Sequence, residues 1–183
     1  MQFTSDWFSH HIPTWERILK PFAGQHLHFL EIGCYEGRAS VWMLENVLTH
    51  PMSQLVTIDS FEGVDGKRDG STDWKLYARF RENTLPWMAK VETIVGKSTS
   101  GLPYMLTEKI AYGPFDFIYI DGSHEAKDVL EDSVMSWPML NVGGIMAWNG
   151  FGNNVAFDAF ISVYSDRIEK IVDGPQIWIR RTA

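Results

Sequence analysis

The sequence predicts an α/β protein built on one mostly parallel β-sheet with helices on both faces. Short apolar segments alternate along the chain with segments whose apolar residues recur at helical spacing. Strands and helices that alternate in this way are typical of a parallel sheet with right-handed crossovers. The last part of the chain, "IEKIVDGPQIWIRR", has two strand-like segments around a short turn, which predicts a hairpin. That hairpin would add an antiparallel strand at or near one edge of the sheet.

Seven segments have strand character. The fourth, "FDFIYID", is a nearly continuous apolar run, as expected for a strand that is buried on both faces. The fifth, "GGIMAWNGF", follows a tight glycine turn. The predicted strands cover residues 27–32, 54–59, 91–96, 115–121, 143–151, 168–173 and 176–181.

Six segments predict helices between these strands. The first follows a probable cap and carries Pro13 in its first turn, a position that proline favours. The second has apolar residues at helical spacing and is stopped by Pro51. The predicted helices cover residues 6–22, 38–50, 74–88, 102–110, 126–137 and 155–165.

Composition limits the classes of protein to consider. The 183 residues are 45% hydrophobic and 21% charged, which suits one folded domain over residues 1–183 with an N-terminal helical segment at 1–26. The net charge of −7 disfavours a general binder of nucleic acid or anionic membranes. Cys34 is the only cysteine, and neither a signal peptide nor a membrane-spanning apolar segment is evident. We therefore expect a cytoplasmic protein.

The first predicted strand ends in the sequence "LEIGCYEGR". In a parallel sheet, ligands bind beyond the carboxyl ends of the strands, near the point where strand order reverses. Glu31, Gly33 and Gly37 stand at such an end, and glycine lets a ligand approach the backbone closely. The spacing of the glycines is G-x-x-x-G, and a dinucleotide pyrophosphate site would have G-x-G-x-x-G. A tight strand–helix turn that binds nothing would also explain these glycines.

The next two strands also end in polar residues. Asp59 closes the second strand, where an acid can accept hydrogen bonds from ribose hydroxyls or cap a turn. The third strand ends in Gly96, Lys97 and Ser98, which could contact a base edge or could simply begin a helix.

The fourth strand ends in "IDGSH". Asp121 should lie at the mouth of the sheet, and His124 follows where the next helix begins. A histidine near neutral pH can accept a proton from a substrate hydroxyl. The structural alternative is that Asp121 or Ser123 caps the helix while His124 packs.

With these motifs together, the sequence resembles the class I S-adenosylmethionine-dependent methyltransferases. The resemblance is carried by "FLEIGCYEGRAS", "FDFIYIDGSHEAKDVLED" and "MLNVGGIMAWNGF", and it extends from about Trp7 to Arg181. It implies a Rossmann-like, seven-stranded sheet whose seventh strand is antiparallel. It also implies a methionine-binding part, an adenosine-binding part and a reaction centre. The cofactor-binding residues carried over in this way are Glu31, Gly33, Tyr35, Gly37, Ser40, Asp59, Ser60, Phe61, Gly96, Lys97, Ser98 and Asp121.

The sequence departs from this family pattern after the fifth strand. Many relatives have Asp-Asp or Asp-Asn there, and these residues bind a divalent metal together with the acid after the fourth strand. Here the pair is Asn149-Gly150, so Asp121 and Asn149 are at most two candidate ligands. Hard cations favour carboxylate oxygens. We therefore expect weak metal binding or none, and a protein base, His124, held by Asp121.

The predicted function is S-adenosylmethionine-dependent methyl transfer to a small molecule or sugar, at an oxygen atom. Two alternatives are a cofactor-binding protein without transferase activity and a nicotinamide-dependent oxidoreductase. Residues 62–88, with a loop rich in Gly, Asp and Lys, could form a lid, although at least two of the aromatic residues there should belong to the core. His10 and His11 are expected to be a solvated pair. The methyl acceptor and the oligomeric state, including a homo-oligomer, are left open.

Overall fold

The computed structural model describes residues 1–63, 71–107, 113–150 and 154–183. The strands are β1 His28–Ile32, β2 Gln54–Asp59, β3 Val91–Val95, β4 Phe115–Ile120, β5 Leu140–Asn149, β6 Ile168–Asp173 and β7 Gln176–Arg181. The α-helices in these ranges are α1 Ile12–Leu19, α2 Arg38–Asn46, α3 Trp74–Thr84, α4 Ser98–Thr107, α5 Ala126–Ser136 and α6 Asn154–Val163. The predicted alternation of strands and helices is confirmed.

The strands form one sheet in the order β3-β2-β1-β4-β5-β7-β6. β1 pairs in parallel with both β2 and β4, and β4 pairs in parallel with β5. β7 is antiparallel to β5 and to β6, so the hairpin inserts its second strand into the sheet and leaves β6 at the edge. Strand order reverses between β1 and β4, and a crevice opens at such a point in a parallel sheet.

Side-chain alternation along the strands creates two apolar layers. On one face, Leu30 and Ile32 of β1 belong to the same buried cluster as residues of α4, α5 and α6. On the other face, Phe29 belongs to a cluster with Trp15 of α1 and Trp42 of α2. Because successive side chains of a strand point to opposite faces, Glu31 lies on the face of Phe29 and α2. This alternation places a carboxyl group beneath the crevice.

Several element boundaries differ from the predictions. α2 ends at Asn46, and α4 already begins at Ser98, four residues before the predicted start. β5 begins at Leu140 and continues through the glycine pair, which is therefore not the turn we expected. The pairing of β4 with β5 shifts register between Phe115 and Phe117. Gly143, which has a φ of 87°, lies in the part of β5 where this register shift occurs.

The segment predicted as a lid is only partly described. Residues 64–70 of the loop lie outside the described residues, and α3 follows. Phe80 is fully buried, and Trp87 packs partly buried against the cluster of α1 and α2. Trp74 is exposed. The expectation that at least two of these aromatic residues belong to the core is therefore met fully by Phe80 and only in part by Trp87. In the part of the chain that is described, no helix has the length and apolar character needed to span a bilayer.

The two glycines after β1 are explained by packing. Gly33 has a φ of 84°, and an added Cβ would lie well under 3.0 Å from the backbone of Asp121 and Gly122. Gly37, with a φ of 83°, precedes α2, and a Cβ there would be 2.9 Å from the ring of Phe80. The glycine loop therefore closes tightly against β4 and α3, as the structural alternative proposed. Space for a ligand at the Cβ position of Gly33 is excluded.

We expect Gly33→Ala to destabilise the fold strongly, because the new Cβ meets backbone atoms that cannot move aside. Gly24→Ala is a matched control, since Gly24 has a φ of 83° and nothing within 4 Å of an added Cβ. The control should lose roughly 1–2 kcal/mol from its left-handed backbone alone. Gly33→Ala should lose more than twice that in urea unfolding, or fail to fold. Equal losses in the two variants would contradict the close approach.

Candidate functional site

One cavity of about 460 Å³ opens where strand order reverses, at the carboxyl ends of β1 and β4. Its walls are the loop after β1, the start of α2, the turn after β4, the end of β5 and part of the N-terminal segment. The lining residues are Ser5, Trp7, Phe8, Glu31, Gly33, Cys34, Tyr35, Glu36, Arg38, Ala39, Asp121, Gly122, His124 and Asn149. Five of the predicted site residues, and Asn149, therefore surround one space.

Glu31 forms part of the cavity floor, although only 1% of its surface is exposed. The hydroxyl group of Ser40 donates a hydrogen bond to its carboxyl oxygen Oε2. Burial raises the pKa of Glu31 to about 8, the Ser40 hydrogen bond lowers it, and the charges of Asp121 and Asp59 raise it further. Glu31 is therefore largely protonated at neutral pH.

Asp59 braces the glycine loop. Its Oδ2 atom accepts hydrogen bonds from the backbone N–H groups of Cys34 and Tyr35, at 2.7 and 2.8 Å. Its Oδ1 atom accepts one from the N–H of Phe61, at 2.7 Å. The carboxylate at the end of β2 thus holds the loop after β1. Three of the roughly four acceptor sites of this carboxylate are thus used by backbone N–H groups of the described residues.

Asp121 lies half-buried at the end of β4 and faces the cavity. Its Oδ1 accepts a hydrogen bond from the amide Nδ2 of Asn149 at 2.8 Å, and its Oδ2 accepts one from the hydroxyl group of Tyr119 at 2.9 Å. Burial raises the pKa of Asp121 to about 6, while these two hydrogen bonds act in the opposite direction. Asp121 therefore does not cap α5.

His124 is exposed on the cavity wall, three residues after Asp121. The intervening turn is organised by Ser123, whose Oγ accepts from the N–H of Glu125 at 3.1 Å and donates to Asp128 at 2.6 Å. α5 begins after Glu125 without a side-chain cap, so Ser123 organises the turn before the helix and does not cap it. His124 is presented to the cavity by a turn that is stabilised independently of it.

The N-terminal segment covers one side of the cavity and is fixed there by Glu36. This buried carboxylate accepts bonds from the N–H and the hydroxyl of Thr4, both at 2.6 Å, and pairs with Arg79. Burial alone would raise the pKa of Glu36, but these hydrogen bonds lower it. The ring of Trp7 packs on Tyr35, with centroids 5.1 Å apart. The sequence suggested that the N-terminal segment covers the pocket, but sequence reasoning missed Glu36 as the residue that anchors it, although Glu36 belongs to the "EGR" motif.

The expectation of a solvated His10-His11 pair is wrong for His11. Only 7% of His11 is exposed, and its Nε2 has no hydrogen-bond partner among the described residues. Burial and the neighbouring His10 lower the pKa of His11 to about 4. A hydrogen bond with the Asn149 side chain acts in the opposite direction and raises this pKa. The physical reason is the start of α1, which turns His11 inward toward the end of β5.

The other predicted cofactor residues lie outside the cavity lining. Ser40 and Phe61 are fully buried, and Phe61 packs against Phe80. Gly37 is buried under the same ring. Asp59, Ser60, Gly96, Lys97 and Ser98 lie at the carboxyl ends of β2 and β3. Lys97 is exposed and lies 3.7 Å from Glu62. The predicted adenosine contacts are thus beside the cavity, on the side of β2 and β3.

A divalent metal does not fit the arrangement of Asp121 and Asn149. The amide NH₂ group of Asn149, a donor, faces Asp121, and a cation at this position would need the amide oxygen there. Within residues 1–63, 71–107, 113–150 and 154–183, no group of three or more His, Cys, Asp or Glu side chains could hold a metal ion.

Sheet order, antiparallel β7 and the cavity at the β1–β4 switch define a Rossmann-like methyltransferase fold. The methyltransferase-domain family (Methyltransf_24) matches residues 30–150, and the chain belongs to this family. The recognition made from the sequence motifs is confirmed. Among curated protein sequences, none matches the chain significantly.

Solved structures share this fold at low sequence identity. An O-methyltransferase from Bacillus cereus, in complex with S-adenosylhomocysteine (SAH), has a TM-score of 0.71 at 15% identity, with 98% of this chain and 84% of that chain covered. TomG from Streptomyces achromogenes is an O-methyltransferase of tomaymycin synthesis, in complex with S-adenosylmethionine (SAM). Its TM-score is 0.68 at 17% sequence identity, with 93% of this chain and 80% of that chain covered.

MycE, a methyltransferase of mycinamycin biosynthesis in complex with Mg and SAH, is similar with a TM-score of 0.67 and 15% identity. The match covers 97% of this chain but only 51% of MycE, so this chain spans about half the length of that protein. At these identities the likeness establishes the fold.

We expect Glu31 to make folding stability fall as pH rises. Its pKa of about 8 in the folded protein exceeds its ordinary value of 4.5, so its contribution is fully present below pH 4.5. The contribution is lost as pH rises through about 8. Thermal unfolding between pH 5 and pH 9 should show a smaller decline in Glu31→Gln than in the parent protein. The exposed Glu45, changed to Gln, is the control and should follow the parent. A Glu31→Gln curve parallel to the parent's would contradict the raised pKa.

Proposed function

We propose that this protein is a SAM-dependent methyltransferase that transfers a methyl group to a hydroxyl oxygen of a small molecule or sugar. The observation that carries the proposal is the cavity at the β1–β4 switch, where the half-buried Asp121 faces the loop braced by Asp59. Membership of the methyltransferase-domain family supports methyl transfer. The O-methyltransferase neighbours with bound SAM or SAH support the cofactor and the type of acceptor.

The residues around the cavity fit a SAM molecule. SAM would supply a methyl group on a positively charged sulfur, and carboxylate groups stabilise such a charge. Asp121 lines the cavity and Asp59 lies directly behind its loop, while the protonated Glu31 adds a polar group to the cavity floor. In the proposed placement, Glu31, Gly33, Tyr35 and Gly37 border the methionine part, with Ser40 acting through its hydrogen bond to Glu31.

The adenosine part is proposed to extend toward β2 and β3. Asp59, which closes β2 and already accepts three backbone N–H bonds, is proposed to accept a hydrogen bond from a ribose hydroxyl as well. Ser60 and the backbone of Phe61 would lie beside the adenosine, since the side chain of Phe61 is buried. Gly96, Lys97 and Ser98, at the end of β3, would lie near the adenine.

The proposed chemistry depends on alignment and on one proton transfer. In methyl transfer from a sulfonium, the protein must align the acceptor with the methyl group and exclude water. A ring nitrogen of His124 is proposed to take the proton of the acceptor hydroxyl. Asp121, fixed by Asn149 and Tyr119, would orient the acceptor and stabilise positive charge beside it.

Three further features are part of the proposal. The reaction is proposed to need no divalent metal, because Asn149 directs its amide donor at Asp121. Residues 62–88 are proposed to contribute a lid through exposed Trp74, within a single domain over residues 1–183. The acceptor is proposed to be a small molecule in the cytoplasm, and neither a membrane nor a nucleic acid. Self-association as a homo-oligomer stays open.

Binding is the first test. In isothermal calorimetry, SAH should bind with a stoichiometry near one, and NAD should give no heat. A titration with MgCl₂ should also give no heat, because the amide of Asn149 opposes a cation. Saturable NAD binding without SAH binding would favour the oxidoreductase alternative, which the family match does not favour. Absence of any SAH signal with folded protein would refute the proposed function.

Turnover tests the proposed base. His124→Ala should lower kcat by about 10²-fold or more, the usual contribution of a general base, while the Kd for SAH changes less than twofold. The assay is SAH release with a panel of phenols, sugars and hydroxy acids. His10→Ala, which removes another histidine, is the control and should keep parental turnover. An unchanged kcat in His124→Ala would reject this role.

A second candidate function is cofactor binding without transfer, and the Asn149-Gly150 departure from the family pattern favours it. SAH binding together with no product from any member of the acceptor panel would support this candidate.

A further inference from the structure

A chain of buried polar side chains ends at Asp121, away from the cavity. The indole Nε1 of Trp15 donates to Oε1 of Gln176 at 2.8 Å, and Nε2 of Gln176 donates to the hydroxyl oxygen of Tyr119 at 3.2 Å. The Tyr119 hydroxyl then donates to Oδ2 of Asp121 at 2.9 Å. Trp15, Gln176 and Tyr119 are each at most 2% exposed. The chain connects α1, β7 and β4 in that order.

The direction of every hydrogen bond in this chain is fixed by its first member. An indole N–H can only donate, so the amide oxygen of Gln176 must face Trp15. The amide NH₂ group then faces Tyr119 and occupies an acceptor site of the phenol oxygen. The phenol proton is left to point at Asp121. Since Asn149 donates to the other carboxylate oxygen, both oxygens of Asp121 act as acceptors.

We propose that Trp15, Gln176 and Tyr119 are positioning residues, which hold the carboxylate of Asp121 in one orientation as an acceptor facing the cavity. This inference deepens the proposed function and rests on it, because it assigns the three residues to the reaction centre of methyl transfer. Two donors from fixed directions prevent rotation of the carboxylate about its Cβ–Cγ bond. Its unused lone pairs therefore keep a constant direction toward the cavity.

The need to satisfy buried polar groups in the core does not by itself explain this chain of hydrogen bonds. Trp178 lies beside Trp15, with ring centroids 5.4 Å apart, and both are fully buried. The Nε1 of Trp178 has no hydrogen-bond partner among the described residues. The same cluster thus tolerates a buried indole N–H without a partner, so the core does not require the one at Trp15 to be bonded. The hydrogen bond from Trp15 instead sets the donor–acceptor direction of the other hydrogen bonds in the chain.

Trp15 and Gln176 lie outside residues 30–150, the part of the chain that the methyltransferase-domain family matches. Tyr119, Asp121 and Asn149 lie inside it. The elements on either side of the family region, α1 and β7, therefore contribute to the proposed reaction centre by directing the Tyr119 hydroxyl, which donates to Asp121.

Trp15→Phe and Trp178→Phe are matched variants that test the inference. Each removes one buried indole N–H from the same cluster, but only Trp15 bonds to Gln176. Trp15→Phe should lower kcat about tenfold, with KM for the acceptor and Kd for SAH within twofold of the parent. Trp178→Phe should leave all three unchanged. Equal kinetics in the two variants would overturn the inference.

Gln176→Glu tests the donor–acceptor direction of the hydrogen bonds in the chain. In its ionised form this buried carboxyl group can still accept from Trp15 but would also accept from the Tyr119 hydroxyl and turn that proton away from Asp121, so kcat is compared with the parent at alkaline pH, where the ionised form prevails. A purely structural chain would survive this change, whereas the inference expects a loss of kcat similar to that of Trp15→Phe. Parental kcat in folded Gln176→Glu would contradict it. Thermal unfolding checks that each variant is folded. If Gln176→Glu does not fold, the comparison of Trp15→Phe with Trp178→Phe tests the inference.

An NMR signal separates this inference from the proposed function, because it needs no acceptor. Protein labelled with ¹³C at Cζ of tyrosine reports hydrogen bonding at the Tyr119 hydroxyl. The Tyr119 signal should shift in Gln176→Glu and stay in place in Trp178→Phe. This pattern without SAH binding would support the chain while refuting the methyltransferase proposal. SAH binding and turnover with no shift of the Tyr119 signal would overturn this inference and leave the methyltransferase proposal standing.

Discussion

The contact between the backbones of Gly33 and Asp121 is the constraint on which the site depends. It brings the end of β1 against the end of β4, and only glycine leaves room for it. The side chain of Asp59 adds the end of β2 by bonding the N–H groups that follow Gly33. Three strand ends are thus fixed by backbone contacts before any ligand is considered. The side chains of Glu31 and Asp121 are placed by the strands that carry them.

Much of this arrangement could be predicted from the sequence, because it depends on local patterns. The alternation of strands and helices predicted a parallel sheet with the last residues of β1 and β4 at its carboxyl end, and the glycines of "EIGCYEGR" marked a tight loop. The hairpin "IEKIVDGPQIWIRR" predicted the antiparallel strand. Glu31, Gly33, Tyr35, Asp121 and His124 do share one cavity. Close packing requires glycine at both positions, and Gly33 also lines the cavity.

Contacts between distant parts of the chain could not be predicted in this way. Gln176 reaches Trp15 across 161 residues, and Glu36 reaches Arg79 across 43. No spacing rule connects such residues, because their proximity follows from the sheet order and the position of α1. The burial of His11 has the same origin: beside exposed His10 it looked solvated, yet the start of α1 turns it toward Asn149. Electrostatic consequences such as the raised pKa of Glu31 depend on that burial as well.

The bond between Trp15 and Gln176 has a consequence for biosynthesis. Trp15 is translated before β1, β4 and the cavity loop, and Gln176 only after them. Until β7 enters the sheet, nothing fixes the amide that bonds the Tyr119 hydroxyl. A nascent chain that forms the pocket before the C-terminal hairpin docks therefore lacks the bond that directs Tyr119 toward Asp121.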